Sequence, residues 1–169
     1  AALDAVGDLI DIVATGDDLG TQNAPMVSPE TYRRLIKPRQ RRYFDMVRSK
    51  TSARIFFHTC GNVYPLLGDF VDLGIEILNP VQVSAAEMDP AQLKREFGDT
   101  LSFWGAIDSQ NVLPFGTVKD VKAEVERRIA ELGPGGGYVL NPVHNVQPDV
   151  PVENLLAVFS HAQEVGIYG

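Results

Sequence analysis

Hydrophobic positions along this chain fall into short unbroken runs, separated by stretches in which apolar residues recur every three or four positions. The runs are Leu9 to Ala14, Arg54 to Phe57, Ile75 to Leu78, Leu101 to Ala106 and Tyr138 to Leu140. They are rich in β-branched and aromatic residues and do not alternate with polar ones, as expected of parallel strands buried on both faces. Between them lie helix signals. Ser28-Pro29-Glu30 supplies an N-cap, a first-turn proline and an early acid for a helix running towards Lys50, with Pro38 expected to bend or split it. Val63 to Leu73 carries Leu66, Leu67, Phe70 and Val71 on one face and stops at Gly74. Asp89-Pro90 opens a short helix ending at Gly98, and Thr117 opens one with Val118, Val121, Val125, Ile129 and Leu132 on a single stripe. A last helix from Pro151 presents Val152, Leu155, Leu156 and Phe159.

Strands alternating with helices predict an α/β sheet with parallel strands and right-handed crossovers. A dinucleotide-binding sheet needs a glycine-rich turn after its first strand. Gly16-Asp17-Asp18-Leu19-Gly20 is a poor match, because it places two acids where a pyrophosphate needs amides. A (β/α)8 barrel accounts for more, since polar residues gather just after the strands and such strand ends converge on one mouth. They are Asp17 and Asp18, His58 and Cys60, Asn79 and Gln82, Asp108 and Gln110, Asn141 and His144. Leu78-Asn79-Pro80-Val81-Gln82 is echoed by Leu140-Asn141-Pro142-Val143-His144, as though two strand ends do similar work. A full barrel takes about 250 residues. These 169 residues hold five βα units, so residues 1–169 are expected to be the C-terminal portion of such a barrel domain.

Composition narrows the class. With 15 Lys and Arg against 22 Asp and Glu the net charge is −7, which argues against nucleic acid or an anionic membrane surface as partner. No apolar run approaches the roughly 20 residues a membrane span needs. A single cysteine excludes an internal disulfide, and a cytoplasmic location is expected. Two open sheet edges lead us to expect a homo-oligomer.

The sharpest local signal is His58-Thr59-Cys60. At a strand end, residues i and i+2 share a side, so an imidazole and a thiolate can share a cation, and the thiolate favours zinc over magnesium or calcium. The same residue types also serve as a small buried hydrophobe and a hydrogen-bonded histidine, so spacing alone leaves both readings open. His144, after the last strand, is the candidate third ligand or a loop histidine; His161 is read as structural or exposed. Asp17 and Asp18 cannot both point inward, so one of them serves a site as ligand or acid/base, or both merely hold the loop. Asp18 and Asp108 are the candidate catalytic acids, and Asn79, Gln82 and Asn141 the candidate substrate-orienting residues. The Asn-Pro pairs at 79–80 and 141–142 are equally good turn starters.

In order, Asp17-Asp18-Leu19-Gly20, Ser28-Pro29-Glu30, His58-Thr59-Cys60-Gly61-Asn62, Asn79-Pro80-Val81-Gln82, Gly105-Ala106-Ile107-Asp108, Gly135-Gly136-Gly137-Tyr138, His144-Asn145-Val146-Gln147 and Pro151-Val152-Glu153-Asn154 resemble the uroporphyrinogen decarboxylase superfamily. That superfamily includes zinc- and corrinoid-dependent methyltransferases. The resemblance implies the (β/α)8 barrel and two competing branches. In the methyltransferase branch a His-x-Cys-Gly motif supplies two zinc ligands, matched by His58, Cys60 and Gly61, and a later cysteine supplies the third. Cys60 is the only cysteine here, and His144 stands roughly in the later one's place. The branch implies zinc, a small-molecule methyl donor or acceptor, and a corrinoid carried by a partner protein. In the decarboxylases, His144 would match a histidine of the tetrapyrrole pocket, although Val143 and Asn145 replace its flanking glycines. A third reading is a non-catalytic half-barrel that assembles with another chain.

Overall fold

Buried apolar runs make parallel strands because only a continuous ladder satisfies their backbone away from water. The computed structural model describes residues 2–166 and contains one sheet of five parallel strands in sequence order. They are β1 (Ile12–Gly16), β2 (Arg54–His58), β3 (Ile77–Val81), β4 (Ser102–Ile107) and β5 (Tyr138–Pro142). The first run begins pairing later than expected, because Gly7–Leu9 is taken up by a 3-10 turn behind the short helix α1 (Ala2–Val6). The third run is displaced towards its C-terminus, and both Asn-Pro pairs lie inside strands rather than starting turns. Proline is tolerated there because β3 and β4 slip register between Leu78 and Val81, while Pro142 ends the β5 ladder.

The segment after Ser28 shows the expected proline effect in a specific form. Ser28 Oγ accepts the Thr31 amide at 3.1 Å and opens α2 (Pro29–Thr31). A π-helical turn, Tyr32–Ile36, follows and leads into α3 (Lys37–Arg48). Pro38 has no N–H for an α ladder, and the wider turn just before it absorbs the mismatch. Tyr32, Gln40, Phe44 and Val47 face inward. Across from them Arg33 and Lys37 pair with Asp69 at 2.9 and 2.8 Å, so part of the basic stretch clasps α4 (Leu67–Asp72) instead of standing free in water.

One face of the sheet is covered. Ile55 and Phe57 of β2 are buried against these helices, with Phe57 centroids 6.0 Å from Phe44 and 5.2 Å from Phe70. Burying rings of this size contributes roughly 1.5–3 kcal/mol each. Strand alternation sends Phe56 and His58 to the opposite face, where Phe56 meets Trp104 edge-on at 5.3 Å. That second face is more open: Ile12 and Val139 remain 40% and 41% exposed.

Asp89 Oδ1 accepts the Gln92 amide and caps α5 (Pro90–Phe97). Past β4 comes the short α6 (Val112–Phe115), then α7 (Val118–Leu132), opened by a reciprocal Thr117–Asp120 capping box. Val121, Val125 and Leu132 are buried, as their spacing predicts, whereas Val118 in the first turn stays 38% exposed. The final helix, α8 (Val152–Val165), departs from expectation. It docks through Asn154, Ala157, Val158 and His161, leaving Val152 67% and Leu156 64% exposed. The reason is Asn154, whose Nδ2 donates to the carbonyls of Leu113 and Gly116 and so fixes which side faces α6. No helix among the described residues is long and apolar enough to cross a membrane.

Candidate metal centre

The site is built where β2 ends. In the parallel ladders His58 stands opposite Gly16 on one side and Asn79 on the other. The turn after it is held by backbone contacts that only glycine permits. Gly61 has φ +84°, and a Cβ there would lie 2.5 Å from the Gly20 carbonyl carbon. This packing presses the Asp18 loop against the Cys60 turn, where Asp18 Oδ1 accepts the Cys60 amide at 3.0 Å. Gln82 Oε1 accepts the Gly61 amide at 2.7 Å, and Thr59 Oγ1 accepts the Leu19 amide at 3.1 Å. Asp17 turns the other way and accepts from Gln40 Nε2 at 3.0 Å, so the two adjacent acids do point apart.

The pinned turn sets Cys60 Sγ 3.6 Å from His58 Nε2. His144, after β5, brings its ring edge to face with His58 at 6.2 Å between centroids. One donor atom from each of His58, Cys60 and His144 lies within 4.8 Å of the others. A tetrahedral zinc with bonds of about 2.0–2.3 Å needs donors about 3.5 Å apart, so the set fits with a small closure at His144. Two imidazoles and one thiol also suit zinc by chemistry. Burial pushes the Cys60 thiol above its ordinary pKa, and the negative charge of Asp18 adds to the effect. An adjacent cation is what would reverse both.

A cavity of about 570 Å³ opens beside these side chains, lined by His58, Asn79, Asn141, His144, Val146, Leu155 and Phe159 among others. Among the described residues no lysine or arginine lines it. The remaining sequence candidates divide. Asn141 borders the cavity, with Nδ2 donating to the Pro142 carbonyl at 2.9 Å. Asn79 borders it too, and its Oδ1 lies 2.6 Å from His58 Nδ1. Gln82 works behind the site, bonded to Gly61 and, through Nε2, to Gln22. Asp108 is buried and holds its own loop: its carboxylate accepts the Gln110 and Asn111 amides and Asn111 Nδ2. Asp18 comes no nearer to His58 Nε2 than 4.0 Å. His161 lies away from the site, between Glu126 and Glu164.

Leu155 and Phe159 were not legible as cavity wall. Their i,i+4 spacing was visible, but it pointed to the core.

A profile of the uroporphyrinogen decarboxylase (URO-D) family matches residues 5–165. The methylcobamide:CoM methyltransferase MtaA of Methanosarcina barkeri is 30% identical over 154 residues, covering 91% of this chain and 42% of that protein. A uroporphyrinogen decarboxylase of Thermus thermophilus is 29% identical over 140 residues, 82% of this chain and 38% of its own length. A solved methyltransferase from Methanosarcina mazei superposes with a TM-score of 0.73 at 25% identity, covering 98% of this chain and 45% of that one. The chain thus spans less than half the length of these relatives, and the five-stranded sheet is part of a (β/α)8-type barrel. The chain belongs to the uroporphyrinogen decarboxylase family.

Proposed function

We propose that this chain carries the metal-binding part of a zinc-dependent methyl-transfer site, whose methyl group comes from a corrinoid on a partner protein. The carrying observation is the convergence of His58, Cys60 and His144 donors within 4.8 Å at one end of the sheet. The M. barkeri relative is named a methylcobamide:CoM methyltransferase, which supports a corrinoid as the methyl source, and the acceptor is read as a small thiol. His58, Cys60 and His144 would hold the zinc, which would supply Lewis acidity and make a bound thiol nucleophilic at neutral pH, below its ordinary pKa of about 8.5. Asn141, Leu155 and Phe159 border the space where the acceptor would lie. Asp18 keeps the Cys60 turn in place and adds negative charge beside it. A corrinoid on the partner protein would supply the methyl group to the bound thiol's sulfur.

The convergence of His58, Cys60 and His144 donors favours this reading over decarboxylation of a tetrapyrrole, which needs no metal. The test is metal analysis of freshly purified protein without a chelating tag, after reconstitution. One zinc per chain supports the proposal. A wild type that retains none overturns it, and His144 then returns to the decarboxylase-like reading. Self-association through the β1 and β5 edges, each with a single strand neighbour among the described residues, is part of the same proposal and is read by light scattering.

A further inference from the structure

We infer that Asn79 is a positioning residue that fixes the tautomer of His58 and so dedicates Nε2 to the metal. This rests on the zinc reading above and goes beyond it by naming the group that prepares the ligand. The chain of reasoning starts at a carbonyl. The backbone oxygen of Trp104 can only accept a hydrogen bond, and the Asn79 side chain faces it at 3.3 Å. The atom presented there must therefore be the amide nitrogen, Nδ2. That leaves Oδ1 facing His58 Nδ1 at 2.6 Å, and an amide oxygen only accepts. His58 Nδ1 must then carry hydrogen. A neutral imidazole has one N–H, so its lone pair sits on Nε2, the nitrogen 3.6 Å from Cys60 Sγ.

The backbone holds this arrangement. His58 and Asn79 are register partners of β2 and β3, and the Asn79 carbonyl accepts the Thr59 amide at 2.7 Å. Asn79 is 8% exposed, and the link to Trp104 crosses the place where β3 and β4 slip register. Both ends of the amide are engaged, which assigns Asn79 to His58 and not to a substrate. A metal-bound histidine gains orientation and basicity from such a partner, and losing one typically costs 10–100-fold in metal affinity.

The experiment compares wild type, Asn79→Ala and Asn79→Asp in zinc affinity by chelator competition. It also compares the His58 tautomer in the metal-free proteins, by long-range 1H–15N spectra at a pH where the imidazole is neutral. Wild type should show protonated Nδ1 and bare Nε2 before any metal is added. Asn79→Ala should lose about 10–100-fold in affinity and shift His58 towards the Nε2–H form. Asn79→Asp loses the bond to the Trp104 carbonyl but keeps an acceptor for Nδ1 and should hold the wild-type tautomer; a His58 shifted to the Nε2–H form in this variant overturns the inference even if the alanine variant does not fold. An unchanged tautomer in Asn79→Ala overturns the inference, whether or not affinity falls, because a purely structural role would weaken binding without moving the proton. If wild type binds no zinc, the zinc reading fails, while the metal-free spectra still decide whether Asn79 sets the tautomer.

Discussion

His58 at the end of β2 and His144 beyond β5 meet edge to face, their ring centroids 6.2 Å apart. In a flat sheet three strand spacings of about 4.8 Å would separate those strand ends by about 14 Å. Two strands, β3 and β4, stand between them in the ladder. The rings touch because the sheet curls as an arc of a barrel wall and the loop after β5 folds back over its mouth. A half-closed arc is already sufficient to bring the three donors together.

Removing the thiol tests the centre most directly. Cys60→Ser puts a neutral hydroxyl where a thiolate is needed, while the backbone bonds to Asp18 and Gln82 stay. Zinc affinity should fall by more than the roughly 10–100-fold typical of changes one step removed from a metal. His161→Ala, whose histidine is engaged with Glu126 and Glu164 elsewhere, should bind zinc as wild type does. Equal affinities for wild type and Cys60→Ser would remove Cys60 from the ligand set.

A backbone prediction concerns Gly61. Its φ of +84° costs an L-residue roughly 1–2 kcal/mol. An added Cβ would also lie 2.6 Å from the Thr21 carbonyl oxygen, so the Asp18 loop must move away from the Cys60 turn. Gly61→Ala should therefore lower the melting temperature and weaken zinc binding together. A variant that melts early yet binds zinc normally would show that the glycine serves stability alone.

Much of this architecture is legible in the chain because β2 and β4 are apolar on their covered face and pair Phe56 with Trp104 on the more open one, which leaves nearly continuous apolar sequence. The α7 stripe is equally plain, since Val121, Val125 and Leu132 are all buried where their spacing puts them. The α8 face is not. Periodicity counts apolar side chains, whereas Asn154 turns the helix by bonding two carbonyls that no sequence pattern marks. At the site, His58 and Cys60 announce themselves by spacing and His144 by its place after a strand. The duties of Asp18, Gln82 and Asp108 do not, because they answer the needs of backbone amides exposed by tight turns. Polar residues at strand ends look alike in sequence whether they face a ligand or hold the loop.

Asn154 itself yields a stability prediction. It is 2% exposed, and Nδ2 is 2.9 Å from the Leu113 carbonyl and 2.8 Å from that of Gly116. Asn154→Ala strands both acceptors, at a cost of about 1–3 kcal/mol. For a chain of this size each kcal/mol is worth about 2–4 °C in Tm. Asn154→Asp should be no better, since a carboxylate cannot donate to either carbonyl. A melting curve unchanged in both variants would show that this bond does not hold α8 in place.

The last prediction concerns pH and the contact between α7 and α8. His161 Nε2 lies 2.7 Å from Glu126 Oε1 and Nδ1 lies 2.9 Å from Glu164 Oε2. Both partners are carboxylates, so both ring nitrogens must donate and the imidazole must be charged. The hydrogen bond to Glu164 is the main reason its pKa is raised above the ordinary 6.5, with Glu126 next; burial and Lys122 oppose the shift. Lys122 Nζ is itself 4.0 Å from Glu164. A histidine with a raised folded-state pKa contributes stability that is fully present below its unfolded pKa of about 6.5 and is lost as pH rises through the raised value. Glu164 is shifted down, chiefly by the same histidine, so its share is present above about 4.5 and lost as pH falls through the lowered value. The clamp is therefore strongest between about pH 4.5 and pH 6.5. His161→Ala should melt below wild type near pH 6, and the gap should narrow as pH rises beyond about 6.5 and the wild-type imidazole loses its proton. Thermal melts of both proteins across that range decide the matter: a gap that stays constant with pH would mean that His161 holds α7 and α8 together by packing and not by charge.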